Sequence, residues 1–370
     1  MNFQRFLKIG FEKMTLKIQT KAEDISHGIN AEFPRIELQP GYSISRIIKG
    51  GWQLAGGHGD VDEKQALQDM RAFVEAGITT FDCADIYTGV EELIGKFLKE
   101  YKKVEIHTKF VPDLDELPRL NRDYTEKIID RSLKRMGIER LDMVQLHWWD
   151  YSVPLYVEAA QHLQDLQKAG KIRFIGVTNF DAPHLREILD AGIPIISNQV
   201  QYSILDHRPE NDLQRLAQEY NIFLLCYGTL AGGFLSDRYL GIDEFPARLE
   251  NRSLVKYSLI IEEFGGMVVF QKILHTLKKI ADKHGVGVAE IATQYILQKP
   301  RVAAAIIGAR NTEHLAHIKN IGSFRLDNED LREIQGVITQ ARGPGGPVYG
   351  LERNRTGRHG RIMKYDLNKQ

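Results

Sequence analysis

A chain of 370 residues has room for one large barrel or two ordinary domains. Its 49 basic and 49 acidic side chains cancel, so nothing in the overall charge draws it to nucleic acid or to an anionic membrane surface. Two cysteines, Cys83 and Cys226, without a CxxC pair argue against a disulfide framework or zinc cluster and for a reducing, cytoplasmic setting, and no apolar run is long enough to span a membrane.

Residues 1–34 read as an N-terminal extension. Phe3, Phe6, Ile9, Phe11 and Leu16 alternate irregularly with Arg5, Lys8, Lys13 and Lys17, a weakly amphipathic pattern. An arm or extra helix is the preferred reading. Organelle targeting is the minority one, because Glu12 and the low arginine content run against a presequence. Residues 35–342 form the main unit. It opens with a hairpin: Ile36 and Leu38, the turn Gln39-Pro40-Gly41-Tyr42, then Ile44 and Arg46. Ile47 and Ile48 lead into Gly50-Gly51-Trp52 as the first strand of a main sheet.

From there one unit repeats: a short apolar run ends in a polar residue, and a helix-period stretch follows. Asp62-Glu63-Lys64-Gln65 resembles a capping box, with Leu67, Met70 and Val74 on one face and Gly77 as the stop. A strand over 79–81 ends at Asp82, a helix covers 91–101, and a strand over 104–108 ends at Lys109. Next come a helix over 124–136, a strand over 141–146 ending at His147, and a helix over 157–168. A strand over 172–177 ends at Thr178-Asn179, Pro183 opens a helix to Leu189, and a strand over 194–197 ends at Asn198-Gln199. A helix over 212–220 precedes a strand over 222–226 that ends at Tyr227. A long loop, 231–264, separates it from helices over 268–284 and 288–298. The last strand, 302–307, ends at Gly308-Ala309-Arg310, and helices over 313–320 and 331–338 close the unit. Eight short apolar strands alternating with eight or more helices predict an α/β fold, a closed (β/α)8 TIM barrel rather than an open sheet. Such barrels gather function at the C-terminal ends of their strands, so these polar residues converge although they are far apart in the chain.

Asp82, Tyr87, Lys109 and His147 come from three consecutive strand ends. A free phenol, with a pKa near ~10, is a poor acid at neutral pH, and a nearby ammonium lowers that value. Asp82 holds Lys109 charged and oriented, and His147 hydrogen-bonds a substrate oxygen beside Tyr87. Together they make a proton donor aimed at a developing alkoxide, which carbonyl reduction requires. Each residue alone also reads as a buried ion pair or a satisfied core histidine. A metal-dependent hydrolase is the rival on the same barrel, disfavoured by the single histidine and the intruding lysine. Asp85, in the same stretch, reads as loop surface.

The segments Gly77-Ile78-Thr79-Thr80-Phe81-Asp82-Cys83-Ala84-Asp85-Ile86-Tyr87, Thr108-Lys109, Gln145-Leu146-His147-Trp148, Gly176-Val177-Thr178-Asn179-Phe180 and Asn198-Gln199-Val200-Gln201-Tyr202 occur in order at barrel spacing. Over about residues 50–320 the chain resembles the aldo-keto reductases. The resemblance implies reversible, nicotinamide-dependent reduction of a small aldehyde or ketone. Tyr87 is then the general acid, Lys109 and Asp82 tune it, and His147 orients the carbonyl. It also implies that Thr178, Asn179 and Gln199 bind the nicotinamide carboxamide and that Tyr227 stacks on its ring. Leu230, Gly232 and Gly233 admit the pyrophosphate, and Arg310 meets the adenosine ribose. Arg310 favours NADPH, with NADH as the alternative. The chain departs from the family pattern at Gly228-Thr229, where Ser-Pro is usual. It departs again at His314 and Ile318, where a glutamine and an asparagine usually face the adenosine. Trp52, Trp148 and Trp149 are expected to line an apolar substrate pocket. No metal, nucleic-acid or membrane partner is expected, and the oligomeric state is open. A rival from another class is a nicotinamide-binding regulatory subunit related to reductase-like channel β-subunits.

Residues 343–370 form a C-terminal tail. Gly343-Pro344-Gly345-Gly346-Pro347 ends the last helix, and Arg353, Arg355, Arg358, His359, Arg361 and Lys364 make the tail basic. A solvated, disordered tail is one reading. The preferred one folds Tyr349 and Leu351 over the barrel mouth.

Overall fold

The computed structural model describes residues 33–56, 59–309 and 311–368. All belong to the unit Phe33–Gln370; a separate unit, Met1–Glu32, lies outside the described residues, and with it nearly all of the N-terminal extension. Arg310 is outside them as well.

The hairpin forms as read, with β1 (Arg35–Gln39) and β2 (Tyr42–Ser45) antiparallel across a turn in which Gly41 takes φ 72°. Eight parallel strands follow: β3 (Ile47–Gly50), β4 (Thr80–Asp82), β5 (Glu105–Phe110), β6 (Leu141–His147), β7 (Ile172–Thr178), β8 (Ile195–Gln201), β9 (Phe223–Tyr227) and β10 (Val302–Gly308). They close into a barrel in which β3 pairs with both β10 and β4. Helices alternate with the strands because each strand buries both faces, one inward and one under a helix. The hairpin supplies Leu38, Tyr42 and Ile44 to a core shared with Met143, Ile196, Leu225, Ala303 and Ala304 of the strands. Tyr42 Oη also meets the ring nitrogen Nε2 of His107 at 2.9 Å.

Local capping explains several helix starts. Asp62 accepts from the Gln65 amide, Asn121 from Tyr124 and Asp181 from His184, each satisfying an otherwise orphaned N–H. Gly137 closes the helix Arg122–Met136 in the left-handed conformation, which costs glycine nothing.

The stretch after the seventh barrel strand is not one long loop. Short 3₁₀ turns occupy Ala231–Gly233 and Asp237–Tyr239, and residues Arg252–Phe264 form a helix that Gly265 separates from the helix Gly266–His284. Asn251 caps the first of these helices by accepting from the Leu254 amide. Leu254, Tyr257, Ile260, Ile261 and Phe264 fall on one face and are buried. Among the described residues no helix is long and apolar enough to cross a membrane.

Candidate active site

Strand register brings the polar residues together. Asp82 stands opposite His107, Lys109 opposite Gln145, His147 opposite Thr178, and Thr178 opposite Gln199, so neighbouring strands raise them to one rim. At its centre Lys109 Nζ donates to Asp82 Oδ2 at 2.6 Å and to the Cys83 carbonyl at 2.8 Å. Both side chains are about 5–6 % exposed. The other Asp82 oxygen accepts from Gln199 Nε2 at 2.6 Å and from Gln145 Nε2 at 3.2 Å. The carboxylate is therefore fully partnered, which is the condition for burying a charge. Burial opposes the charge on Lys109, but Asp82 outweighs it, and the ammonium pKa rises.

Tyr87 reaches this pair through a turn in which its amide donates to the Ala84 carbonyl at 3.0 Å. Its ring centre lies 5.1 Å from Lys109 Nζ, and Trp52 packs against its face with centroids 5.1 Å apart. The expected lowering of the phenol pKa is not the net result. Burial raises it more than the charge and hydrogen bond of Lys109 lower it, because Asp82 already compensates that ammonium. Tyr87 therefore stays a protonated donor throughout the neutral range.

His147 is buried, with Nδ1 3.3 Å from the Thr178 carbonyl. A carbonyl only accepts, so this contact suits the tautomer with the proton on Nδ1. Burial first, then the charge of Arg353, depresses its pKa to about 3, leaving the imidazole neutral. Nε2 has no hydrogen-bond partner among the described residues.

These residues face a cavity of about 550 Å³. Asp82, Tyr87, Lys109 and His147 line it, as do Thr178, Asn179, Gln199, Tyr227, Leu230, Gly232, Gly233 and His314. Asn179 holds a left-handed backbone, φ 63°, and its Oδ1 accepts from the Tyr227 hydroxyl at 2.8 Å, fixing the plane of that ring. Gly232 and Gly233 take φ 69° and 108°, so their backbone approaches the cavity without a Cβ in the way. A flat aromatic face, amide and hydroxyl groups along one wall and a glycine-lined recess fit a nicotinamide dinucleotide. The unusual Gly228 has a local cause: its φ is 77°, and a Cβ there would fall 2.4 Å from the Tyr257 hydroxyl.

Other expectations change. Trp52 and Trp149 line the cavity, whereas Trp148 is completely buried beneath it, its indole donating to the Asp150 and Val153 carbonyls at 3.0 and 2.9 Å. Ile318 is core. Asp85 is buried too, because the chain turns it under β5, where Oδ2 accepts from the Val111 amide at 3.2 Å.

The tail packs on the barrel. Arg353 donates to the Asn179 carbonyl at 2.8 Å and the Trp148 carbonyl at 3.1 Å. Glu352 makes a two-pronged pair with Arg208 at 2.8 and 3.0 Å, and Arg208 pairs in turn with Asp206 at 2.7 Å, all three side chains being buried. Tyr349 stands edge-on to the His147 ring, centroids 5.5 Å apart. Ile362, Met363, Lys364 and Leu367 line the cavity with Tyr349; Leu351 does not.

Lys256 is the residue that sequence reasoning missed. It lies on the unrecognised helix Arg252–Phe264, and its Nζ sits 5.0 Å from the Tyr227 ring centre, 5.4 Å from Tyr257 and 5.9 Å from Tyr349. Burial lowers its pKa. The apolar period following the Asn251 cap was the signal that could have found it.

Comparison with known proteins identifies the family. The Aldo/keto reductase family model matches residues 46–339. The aldo-keto reductase YhdN of Bacillus subtilis is 31 % identical over 309 residues, covering 80 % of this chain and 91 % of that protein. An NADH-specific methylglyoxal reductase of Escherichia coli is 32 % identical over 219 residues, 52 % of this chain and 66 % of that one. The solved structure of a thermostable aldo-keto reductase, Tm1743, with the inhibitor epalrestat superposes with a TM-score of 0.65 at 26 % identity, covering 82 % of this chain and 99 % of that one. The chain belongs to the aldo/keto reductase family, and it is an NAD(P)H-dependent oxidoreductase acting on small carbonyl compounds.

Proposed function

We propose that this enzyme reduces an aldehyde or ketone to its alcohol, reversibly, with NADPH, and that Tyr87 is the general acid. The observation that carries this reading is Lys109: its ammonium is 2.6 Å from Asp82 and 5.1 Å from the Tyr87 ring centre, on the wall of one cavity. Hydride addition, which bound NADPH supplies, leaves negative charge on the carbonyl oxygen, and a proton donor placed there lowers the barrier. The Tyr87 hydroxyl gives that proton. Lys109 stabilises the phenolate left behind. Asp82, itself gripped by the Gln145 and Gln199 amides, keeps Lys109 charged and aimed.

Tyr227 offers its face to the nicotinamide, with Thr178, Asn179 and Gln199 for the carboxamide and Leu230, Gly232 and Gly233 for the pyrophosphate. Arg252 and Lys256, both on the cavity wall, add positive charge that suits a phosphate-rich ligand, and His314 adds a polar ring beside them. With Arg310 they support NADPH over NADH. Trp52 and Trp149 form the apolar part of the substrate pocket, and residues 343–370 serve as its lid. Two buried free cysteines fit a cytoplasmic setting.

Tyr87→Phe tests the mechanism. The variant is expected to fold, to bind NADPH in a fluorescence titration as the wild type does, and to lose about 10²- to 10⁴-fold in turnover. Near-normal turnover would overturn the assignment. The same titration with NADH settles the cofactor preference.

A further inference from the structure

Losing a hydride turns the neutral dihydronicotinamide ring of NADPH into the pyridinium cation of NADP+. A charge held beside that ring therefore acts on the two forms differently, whereas a charge held at the phosphates acts on both alike. Lys256 stands at the end of the cavity that Tyr227 and His147 line. Its Nζ sits 5.0 Å from the centre of the Tyr227 ring, whose hydroxyl is anchored on Asn179 Oδ1 at 2.8 Å. Tyr257 and Tyr349 enclose the same ammonium at 5.4 and 5.9 Å, and Tyr349 in turn stands 5.5 Å from His147. These aromatic faces favour a cation between them.

The other charges on this wall act differently. Asp82 and Lys109 form a 2.6 Å pair and largely cancel. Arg252 and Lys364 are exposed, where water screens them. The buried carboxylates of Glu352 and Asp206 attract Lys256, but both grip Arg208 directly, at 2.8 and 2.7 Å, and that guanidinium repels it. Among the described residues, Lys256 is the cation that lies over the Tyr227 ring. We propose that Lys256 is the residue by which this site tells the oxidised cofactor from the reduced one: its ammonium repels the cationic nicotinamide of NADP+ and leaves the neutral ring of NADPH undisturbed. This rests on the reading of Tyr227 as the platform for that ring. The equilibrium of the overall reaction is unchanged. What Lys256 alters is binding: the enzyme holds NADPH and discharges NADP+ once the hydride has left.

The test is a pair of equilibrium titrations on the full-length protein. NADPH and NADP+ are each titrated by quenching of tryptophan fluorescence, and the quantity read is the Kd for NADP+ divided by the Kd for NADPH. Contacts to the phosphates, which the two forms share, cancel in that ratio. Lys256→Met keeps the length of the side chain and removes its charge. It is expected to lower the ratio by about 10-fold, less than the repulsion of two bare charges because Glu352 and Asp206 offset part of it. Lys256→Arg, which keeps the charge, is expected to keep the wild-type ratio. Lys256→Gln replaces the Met variant if that one does not fold. Equal weakening of both forms in Lys256→Met makes Lys256 a phosphate contact and overturns the proposal, as does a ratio that does not change. Tyr227→Leu separates this from the reading beneath it. If that variant binds both forms as the wild type does, the ring platform itself is refuted. If it weakens both while the ratio in Lys256→Met stays at the wild-type value, only the role of Lys256 fails.

Discussion

Replacing Asp85 with asparagine should make this protein less sensitive to alkaline conditions. The carboxyl is buried, with Oδ2 bonded to the Val111 amide and Oδ1 without a hydrogen-bond partner among the described residues. Burial, and then the nearby Glu91 carboxylate, push its pKa from 3.8 up to about 8, against the Val111 amide, Arg131 and Asn368 pulling down. Arg135 donates to the backbone carbonyl of Asp85 at 2.8 Å and to the Glu91 carboxylate at 3.1 Å. Because the folded value is raised, the folded state holds the proton more tightly than the unfolded chain. The stabilising effect is complete below about pH 4 and is lost as pH rises through about 8. A displacement of about four pH units at about 1.4 kcal/mol each amounts to roughly 6 kcal/mol, of which about 3 kcal/mol is lost between pH 6 and pH 9. Asparagine keeps an acceptor for Val111 and has no charge to bury. Urea unfolding followed by tryptophan fluorescence at the two pH values measures the effect. The wild type should lose roughly 3 kcal/mol more than Asp85→Asn over that interval. Identical pH dependence in the two proteins would show that Asp85 is ionised at no cost and would refute the linkage.

Three further outcomes are expected. Gly228→Ser should cost about 1–3 kcal/mol in urea unfolding and weaken NADPH binding, since the new side chain meets the Tyr257 hydroxyl at a positive-φ position; an unchanged midpoint would contradict this. Arg208→Met leaves Asp206 and Glu352 buried without their cation, costing about 3–5 kcal/mol. Freed of that anchor, Tyr349 should shift, raising KM and exposing the tail to limited proteolysis; an intact tail with unchanged KM argues against the lid. The pH profile of reduction should show no limb near pH 6–7 from His147, which stays neutral down to about 3, and none from Tyr87 below its ordinary phenol range, because its folded pKa is raised. An ionisation near pH 6 that disappears in His147→Phe would refute that assignment.

Much of the barrel is legible in the chain itself. A parallel strand buried on both faces reads as an unbroken apolar run, and its exit to the rim is marked by the first polar residue. Asp82, Lys109, His147, Thr178 and Gln199 are found this way, because spacing alone carries them to one end of a barrel. Tyr227 follows by the same rule. The helix Arg252–Phe264 is equally readable from its Asn251 cap and apolar face, although the stretch 231–264 is expected as a loop, and Lys256 lies on it.

What tertiary structure decided is the state of these groups rather than their location. Whether Tyr87 is pushed up or down depends on how burial weighs against an ammonium that Asp82 has already compensated. Which His147 nitrogen meets the barrel wall depends on a carbonyl directly opposite it on the neighbouring strand, 31 residues away in sequence. Trp148 and Trp149 are adjacent in the chain, but one is core and the other cavity wall. The tail's docking rests on Arg208 and Glu352, 144 residues apart, and Asp85 is buried by packing that no local pattern announces. Periodicity records which face of an element is buried. Proton positions, pKa values and long-range ion pairs depend on distances between elements, and only the closed fold sets those distances.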